Sequence, residues 1–210
     1  MPGSESVPEP RPLSGEARQP TLALDWDGTC TVADSLVEAI HTFGDPGVWK
    51  RTFGSYEESL TAEVATIRAP AEEVSAWAAD RIQLRPGLRR LLERYEVVIV
   101  SSGLPQLIRP VLAREGIEVD LRCNDAEPTP EGWRVRFRNE RCPVCGDRCK
   151  RGSLPVGRPL VYAGDGISDR CAARAADRVF ARGWLADDLA AEGVGFGRFE
   201  TLDDIAAALS

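Results

Sequence analysis

An α/β fold is predicted: a doubly wound, Rossmann-like, mostly parallel sheet with a small helical cap inserted after the first strand. Three observations carry that expectation. Short apolar runs at 21–25, 97–100, 159–163 and 179–181 alternate with helix-patterned segments, as in a parallel sheet. Val97-Val98-Ile99-Val100 is apolar at every position, which suits a strand covered on both faces. From Asp34 to Arg85 the spacing is helical throughout.

Element by element, residues 1–20 hold five prolines and almost nothing apolar, too little to offset the entropy of ordering, so a disordered tail is expected. A buried strand follows at 21–25. In the block 34–85, Leu36, Val37 and Ile40 share a face, as do Leu60, Val64 and Ile67, and more loosely Val74, Trp77 and Ile82. Gly44, Pro46, Gly47, Gly54 and Pro70 punctuate it. The core then comprises 21–33 and 86–210.

Pro86 opens a helix to Tyr95, a strand covers 97–100, and a helix (105–115) and a short strand (117–123) come next. Trp133 to Phe137 reads as the return arm of a hairpin, followed by a cysteine-rich segment at 142–149. Pro159–Ala163 is a strand, Asp169–Ala176 a helix, 179–181 a strand and 202–209 a final helix. No internal repeat is present.

A chain of 210 residues can bury one full core with a small insertion. Its net charge of −7 and pI near 4.9 speak against a nucleic-acid partner. No apolar run approaches the ~18 residues of a membrane helix, and the N-terminus has no signal-peptide pattern. A cytoplasmic location is the expectation, in which six cysteines read as thiols or metal ligands rather than a disulfide framework. Against 24 arginines stand only two lysines, Lys50 and Lys150, which makes a well-placed lysine informative.

Open α/β sheets bind ligands beyond the carboxyl ends of their strands. Those ends carry three polar sets: Asp25, Asp27 and Thr29; Ser101-Ser102-Gly103; and Gly164-Asp165-Gly166-Ile167-Ser168-Asp169. Each has an ordinary explanation, a helix cap or a tight turn, but three sets on one rim point to a site. Two carboxylates as close as Asp25 and Asp27 repel, and suit a nucleophile, an acid/base partner and a divalent cation.

The order DxDGT, an apolar strand ending in serine, Lys150, then GDGxSD resembles the haloacid dehalogenase superfamily of aspartyl-phosphate phosphatases over residues 21–208. The helical block looks like the cap of the phosphoserine-phosphatase-like branch. A finer likeness, to methionine-salvage 2-hydroxy-3-keto-5-methylthiopentenyl-1-phosphate phosphatases and phosphocholine-phosphatase relatives, rests on four features. They are Asn124, Gly132-Trp133, the run ending Cys149-Lys150, and Ala175-Ala176-Asp177.

The resemblance implies a magnesium-dependent phosphatase acting on a small phosphorylated metabolite. Asp25 would be the nucleophile and Asp27 the acid and base. Ser101, Ser102, Gly103 and Thr29 would lie at the substrate, Thr29 in a supporting role, and Lys150 would neutralise phosphoryl charge. Asp25, Asp165 and the Asp27 carbonyl would hold magnesium, with Asp169 on a metal-bound water or the lysine. One departure is that Gly152, Pro155, Gly157 and Pro159 leave little room for the helix that usually follows this lysine in the family, so a different support for the lysine is expected, with Arg151 a possible substitute.

Cys142, Cys145 and Cys149 have knuckle-like spacing that suits tetrahedral zinc, with free thiols or a disulfide such as Cys142–Cys149 as alternatives. Cys123, which ends a nearby strand, and the local Asp147 are the choices for a fourth ligand, Cys123 the preferred one, whereas the one histidine, His41, lies in the cap and reads as a surface or packing residue. Cys30 and Cys171 read as small buried hydrophobes. Trp49, Arg51, Phe53, Tyr56 and Arg68 are the cap's candidates for lining the substrate site. The rival readings are a dehalogenase or phosphonatase, which the Asp25/Asp27 pair disfavours, and a non-catalytic zinc-knuckle interaction protein, which intact motifs disfavour. Nothing in the pattern sets an oligomeric state.

Overall fold

The computed structural model describes residues 19–157 and 159–210; the tail expected at 1–20 lies, but for Gln19 and Pro20, outside them. The strands are β1 (Thr21–Leu24), β2 (Glu96–Val100), β3 (Asp120–Arg122), β4 (Asp125–Glu127), β5 (Arg134–Arg136), β6 (Leu160–Gly164), β7 (Arg178–Ala181) and β8 (Gly197–Arg198). Six form one parallel sheet in the order β3-β2-β1-β6-β7-β8, and β4 and β5 pair as an antiparallel hairpin. The helices are α1 (Ser35–Phe43), α2 (Tyr56–Val64), α3 (Ala71–Arg81), α4 (Leu88–Arg94), α5 (Pro105–Arg114), α6 (Arg170–Ala173), α7 (Gly183–Ala191) and α8 (Leu202–Ala208).

Alternation along the strands feeds two cores. Leu22, Leu24, Ile99, Val161 and Phe180 share one core with buried residues of α4, α5 and α8, and through α5 with α3. Ala23, Val98, Val100, Tyr162 and Val179 face the side covered by α6 and α7. Each fully buried aliphatic side chain contributes ~1.5–3 kcal/mol, so the central strands form a rigid frame for whatever follows their carboxyl ends.

The helical segment leaves and rejoins this frame through adjacent extended stretches. Val32 N–H donates to the Gln83 carbonyl at 3.0 Å and Arg85 N–H to that of Cys30 at 2.7 Å. Asp34 caps α1 by accepting from Val37 N–H (2.9 Å), and Ser55 caps α2 by accepting from Glu58 N–H (3.2 Å). α3 runs against α5, and Trp133 of the hairpin donates its indole N–H to the Ala69 carbonyl at 2.9 Å.

Several expected bounds shift. Residue 117 is spent on stopping α5, Ile117 N–H donating to the Leu112 carbonyl at 2.9 Å, so the strand expected at 117–123 begins at Asp120. The helix expected over 169–176 is a 3-10 turn, Ile167–Asp169, running into α6. α7 and β8 lie outside the expected elements. Among the described residues no helix is long and apolar enough to cross a membrane.

Candidate active site

Strand β1 lies between β2 and β6, so the residues that follow these three strands meet at one rim. Asp25 continues the ladder by one bond, its N–H donating to the Ala163 carbonyl at 2.9 Å, and its side chain is buried. The chain then turns: Asp27 is extended and Gly28 adopts φ +72°. Arg85, itself buried, pins that turn by donating to the carbonyls of Thr29 (3.1 Å), Gly28 (2.9 Å) and Thr31 (3.2 Å). Arg182 adds a bond to the Gly28 carbonyl at 3.0 Å.

A Cβ on Gly28 would run into the Asp165 carboxylate. Gly28→Ala is therefore expected to cost about 1–2 kcal/mol from the left-handed backbone alone. It should also lower turnover by displacing Asp165. Denaturant unfolding beside an activity assay checks both.

Lys150 opens a short 3-10 turn, Lys150–Ser153, and its ammonium is buried between the carboxylates of Asp25 and Asp169, the latter at 2.6 Å. Burial works against that charge, but Asp169 and Asp25 outweigh it and hold the lysine well above its ordinary range. The helix missing after this lysine is replaced by Asn139, whose amide donates to the Cys149 carbonyl and to Ser153 Oγ, both at 2.9 Å. Arg151 donates to the Cys171 carbonyl at 3.3 Å, so it does not stand in for the lysine.

Asp169 has both carboxylate oxygens occupied. Oδ1 accepts from Lys150 and from the Tyr162 hydroxyl (2.5 Å); Oδ2 accepts from the N–H groups of Asp165 (3.0 Å) and Gly166 (2.9 Å). Of its two expected duties this favours holding the lysine over serving a metal. Thr29 needs a plainer correction. It is fully buried and its hydroxyl donates to Asp165 Oδ1 at 3.1 Å, so it positions a carboxylate and does not face substrate.

Asp27 is held from one side. Its Oδ1 accepts the N–H and hydroxyl of Ser35, at 2.7 and 2.5 Å, while Oδ2 faces Gly103, where an added Cβ would come within 2.9 Å. Burial, then the charge of Asp34, pushes this carboxyl up to about 7, which lets it exchange a proton near neutrality. Ser101 Oγ accepts from Gly103 N–H at 2.9 Å, and Asn124 ties the loop down by donating to the Ser102 carbonyl at 2.8 Å.

These groups line a cleft of about 170 Å³ walled by Asp25, Asp27, Ser101, Ser102, Gly103, Lys150 and Asp165. The helical segment supplies Asp34, Leu36, Val37, Tyr56 and Glu63. Lys150 is its one cation among the described residues. Of the five cap candidates only Tyr56 lines this cleft; burial pushes its phenol up to about 12. Arg51, Phe53 and Arg68 line a separate groove, and Trp49 packs on His41 with ring centroids 5.0 Å apart. Helical periodicity says which residues share a face but not which face meets the cleft.

The cysteines also need correcting. Cys142, Cys145 and Cys149 gather with Cys171, not with Cys123, which packs against the main core. Ser35, Arg85, Tyr162 and Cys171 went unread as site residues. Tyr162 carried a signal, as the one polar tip inside an apolar strand.

A family model for haloacid dehalogenase-like hydrolases matches residues 22–174, the stretch that contains every group just described except Arg182. The chain belongs to the haloacid dehalogenase-like hydrolases. It resembles a 2-hydroxy-3-keto-5-methylthiopentenyl-1-phosphate phosphatase of Exiguobacterium sibiricum at 24% identity, covering 88% of this chain and 93% of that one. A polyol phosphate phosphatase of Saccharomyces cerevisiae is 28% identical, over 90% and 91% of the two chains. Among solved structures, a substrate-bound phosphoserine phosphatase superposes with a TM-score of 0.69 at 17% identity, over 93% of this chain and 100% of that one. One from T. onnurineus gives 0.65 at 17% identity, over 93% and 98%. The structural likeness shows the fold; with the family match and the relatives, this haloacid dehalogenase-like enzyme is a phosphoric monoester hydrolase.

Proposed function

We propose that this hydrolase is a magnesium-dependent phosphatase that carries the phosphoryl group on Asp25. Its substrate is a small ester whose alcohol part bears no carboxylate. The observation that carries the reading is the pairing of Asp25 with Lys150 in a cleft that also presents Asp27.

Asp25 attacks phosphorus and the bond to the leaving oxygen breaks, with Asp27 giving that oxygen its proton. Asp27, now a carboxylate, takes a proton from the water that attacks the aspartyl-phosphate, which releases phosphate and restores both groups. Ser101 and the neighbouring backbone N–H groups bind phosphoryl oxygens, and Lys150 balances their charge.

The residues fit magnesium. Carboxylate oxygens of Asp25, Asp165 and Asp169 lie within 4.8 Å of one another, all hard donors. Burial, and then the charge of Asp169, pushes the Asp25 and Asp165 carboxyls up, and a cation between them would offset both effects by favouring the ionised forms. With Asp169 already saturated, Asp25, Asp165 and the Asp27 carbonyl would hold the ion, which supplies positive charge at the phosphoryl oxygens. Hydrolysis of an aryl phosphate is expected only when magnesium is added to metal-free buffer; equal rates without it would contradict this.

Substrate class follows from the wall. A phosphoserine carboxylate needs a cationic grip, and among the described residues the wall contributed by the helical segment offers Asp34, Glu63 and Tyr56, with no arginine in the cleft. Polyol and methylthio-keto phosphates, the esters named for the two relatives, make no such demand. In a panel of sugar-alcohol phosphates, glycerol phosphate, phosphocholine and phosphoserine, kcat/KM for phosphoserine should be the lowest, by roughly tenfold or more (~1.4 kcal/mol). Phosphoserine as the best substrate would overturn the assignment.

A further inference from the structure

We propose that Cys142, Cys145, Cys149 and Cys171 hold a structural zinc ion that clamps the lysine-bearing loop to the segment bearing Asp169. Their four Sγ atoms lie within 4.8 Å of one another, and none is in a disulfide. Zn–S bonds of about 2.3 Å in a tetrahedron set neighbouring sulfurs about 3.8 Å apart; Cys142 and Cys171 Sγ are 3.9 Å apart. That separation is far beyond a disulfide bond of ~2.05 Å.

The loop already has the shape of a ligand knuckle. Gly146 turns it at φ +80°, its N–H donating to the Cys142 carbonyl at 2.9 Å, and Cys142 N–H donates to the Asp147 carbonyl at 2.8 Å. Val144 N–H donates to Cys142 Sγ at 3.4 Å, the kind of bond that stabilises a thiolate. Packing does not account for the arrangement. Among the described residues the apolar cluster here is Cys142, Cys149 and Cys171 alone, while Val144 stands in solvent. Three thiols bury too little apolar surface to order a loop of this length.

The placement gives the ion a purpose. Cys149 directly precedes Lys150, and Cys171 lies two residues beyond Asp169, the lysine's partner. A tetrathiolate ion therefore joins the two segments whose spacing sets the Lys150–Asp169 bond. Binding deprotonates the thiols and releases their protons to solvent.

The test is metal analysis of untagged protein expressed in medium containing both iron and zinc, and it is independent of any phosphatase activity. One zinc per chain is expected after extensive dialysis. Cys171→Ser should lower that about tenfold or more, whereas Cys123→Ser should leave it unchanged. Should Cys171→Ser fail to fold, the wild-type chain can be titrated with a mercurial in the presence of a zinc-sensitive dye. One zinc released for four thiols blocked supports the site. Absence of bound zinc, iron in its place, or zinc lost from Cys123→Ser and kept by Cys171→Ser would overturn it.

Discussion

Asp25→Asn should abolish turnover of every phosphate ester while leaving the fold intact. Losing a nucleophile that acts as one unit with its acid/base partner costs roughly 10⁵–10⁶-fold. The stability expectation runs against the usual penalty for breaking a buried ion pair. Burial and the nearby Asp169 raise the Asp25 carboxyl well above its unfolded value, despite Lys150. A carboxyl raised in this way favours folding only below its unfolded pKa and disfavours it as pH rises through the folded one. At neutral pH and without metal, the neutral amide removes that cost, and Lys150 keeps Asp169. Thermal unfolding in metal-free buffer should show a melting temperature unchanged or raised; a large drop would mean that the Asp25–Lys150 pair is chiefly structural.

Asp27→Asn should instead divide substrates by leaving group. The amide keeps the backbone carbonyl, and its side-chain oxygen can still accept from Ser35, so magnesium and phosphate binding should survive. Turnover of alkyl esters should fall by roughly 10²–10⁴-fold, the scale of general acid–base help. In the first half-reaction an aryl phosphate should lose far less, because its leaving group needs little protonation. Pre-steady-state release of the phenol reads that half-reaction alone. Equal damage to aryl and alkyl esters would remove the acid role from Asp27.

The central sheet was legible because its strands are apolar throughout and polar residues mark their ends. Asp25, Asp27, Ser101, Lys150 and Asp165 do meet in one cleft. Less visible was what long-range packing decides. The buried hydroxyl of Thr29 is spent on the Asp165 carboxylate, and no local pattern distinguishes that from a substrate contact. Cys171 has no knuckle neighbour in sequence; it joins the cluster only because α6 returns beneath the loop. Arg85 holds the Asp27-Gly28 turn across more than fifty residues of chain, a contact that exists only once the helical segment has closed on itself. α7 escaped notice although Leu185, Ala186 and Leu189 share a buried face.

The most direct test of the account is whether phosphate passes through a covalent bond to Asp25. Asp27→Asn protein should be mixed with an aryl phosphate and magnesium, quenched in acid and digested for mass spectrometry. With the water-activating base removed, the account predicts one phosphoryl group on the peptide containing Asp25, in near-stoichiometric amount and cleaved by hydroxylamine. A burst of phenol with no adduct on that peptide, or an adduct on another residue, would contradict it.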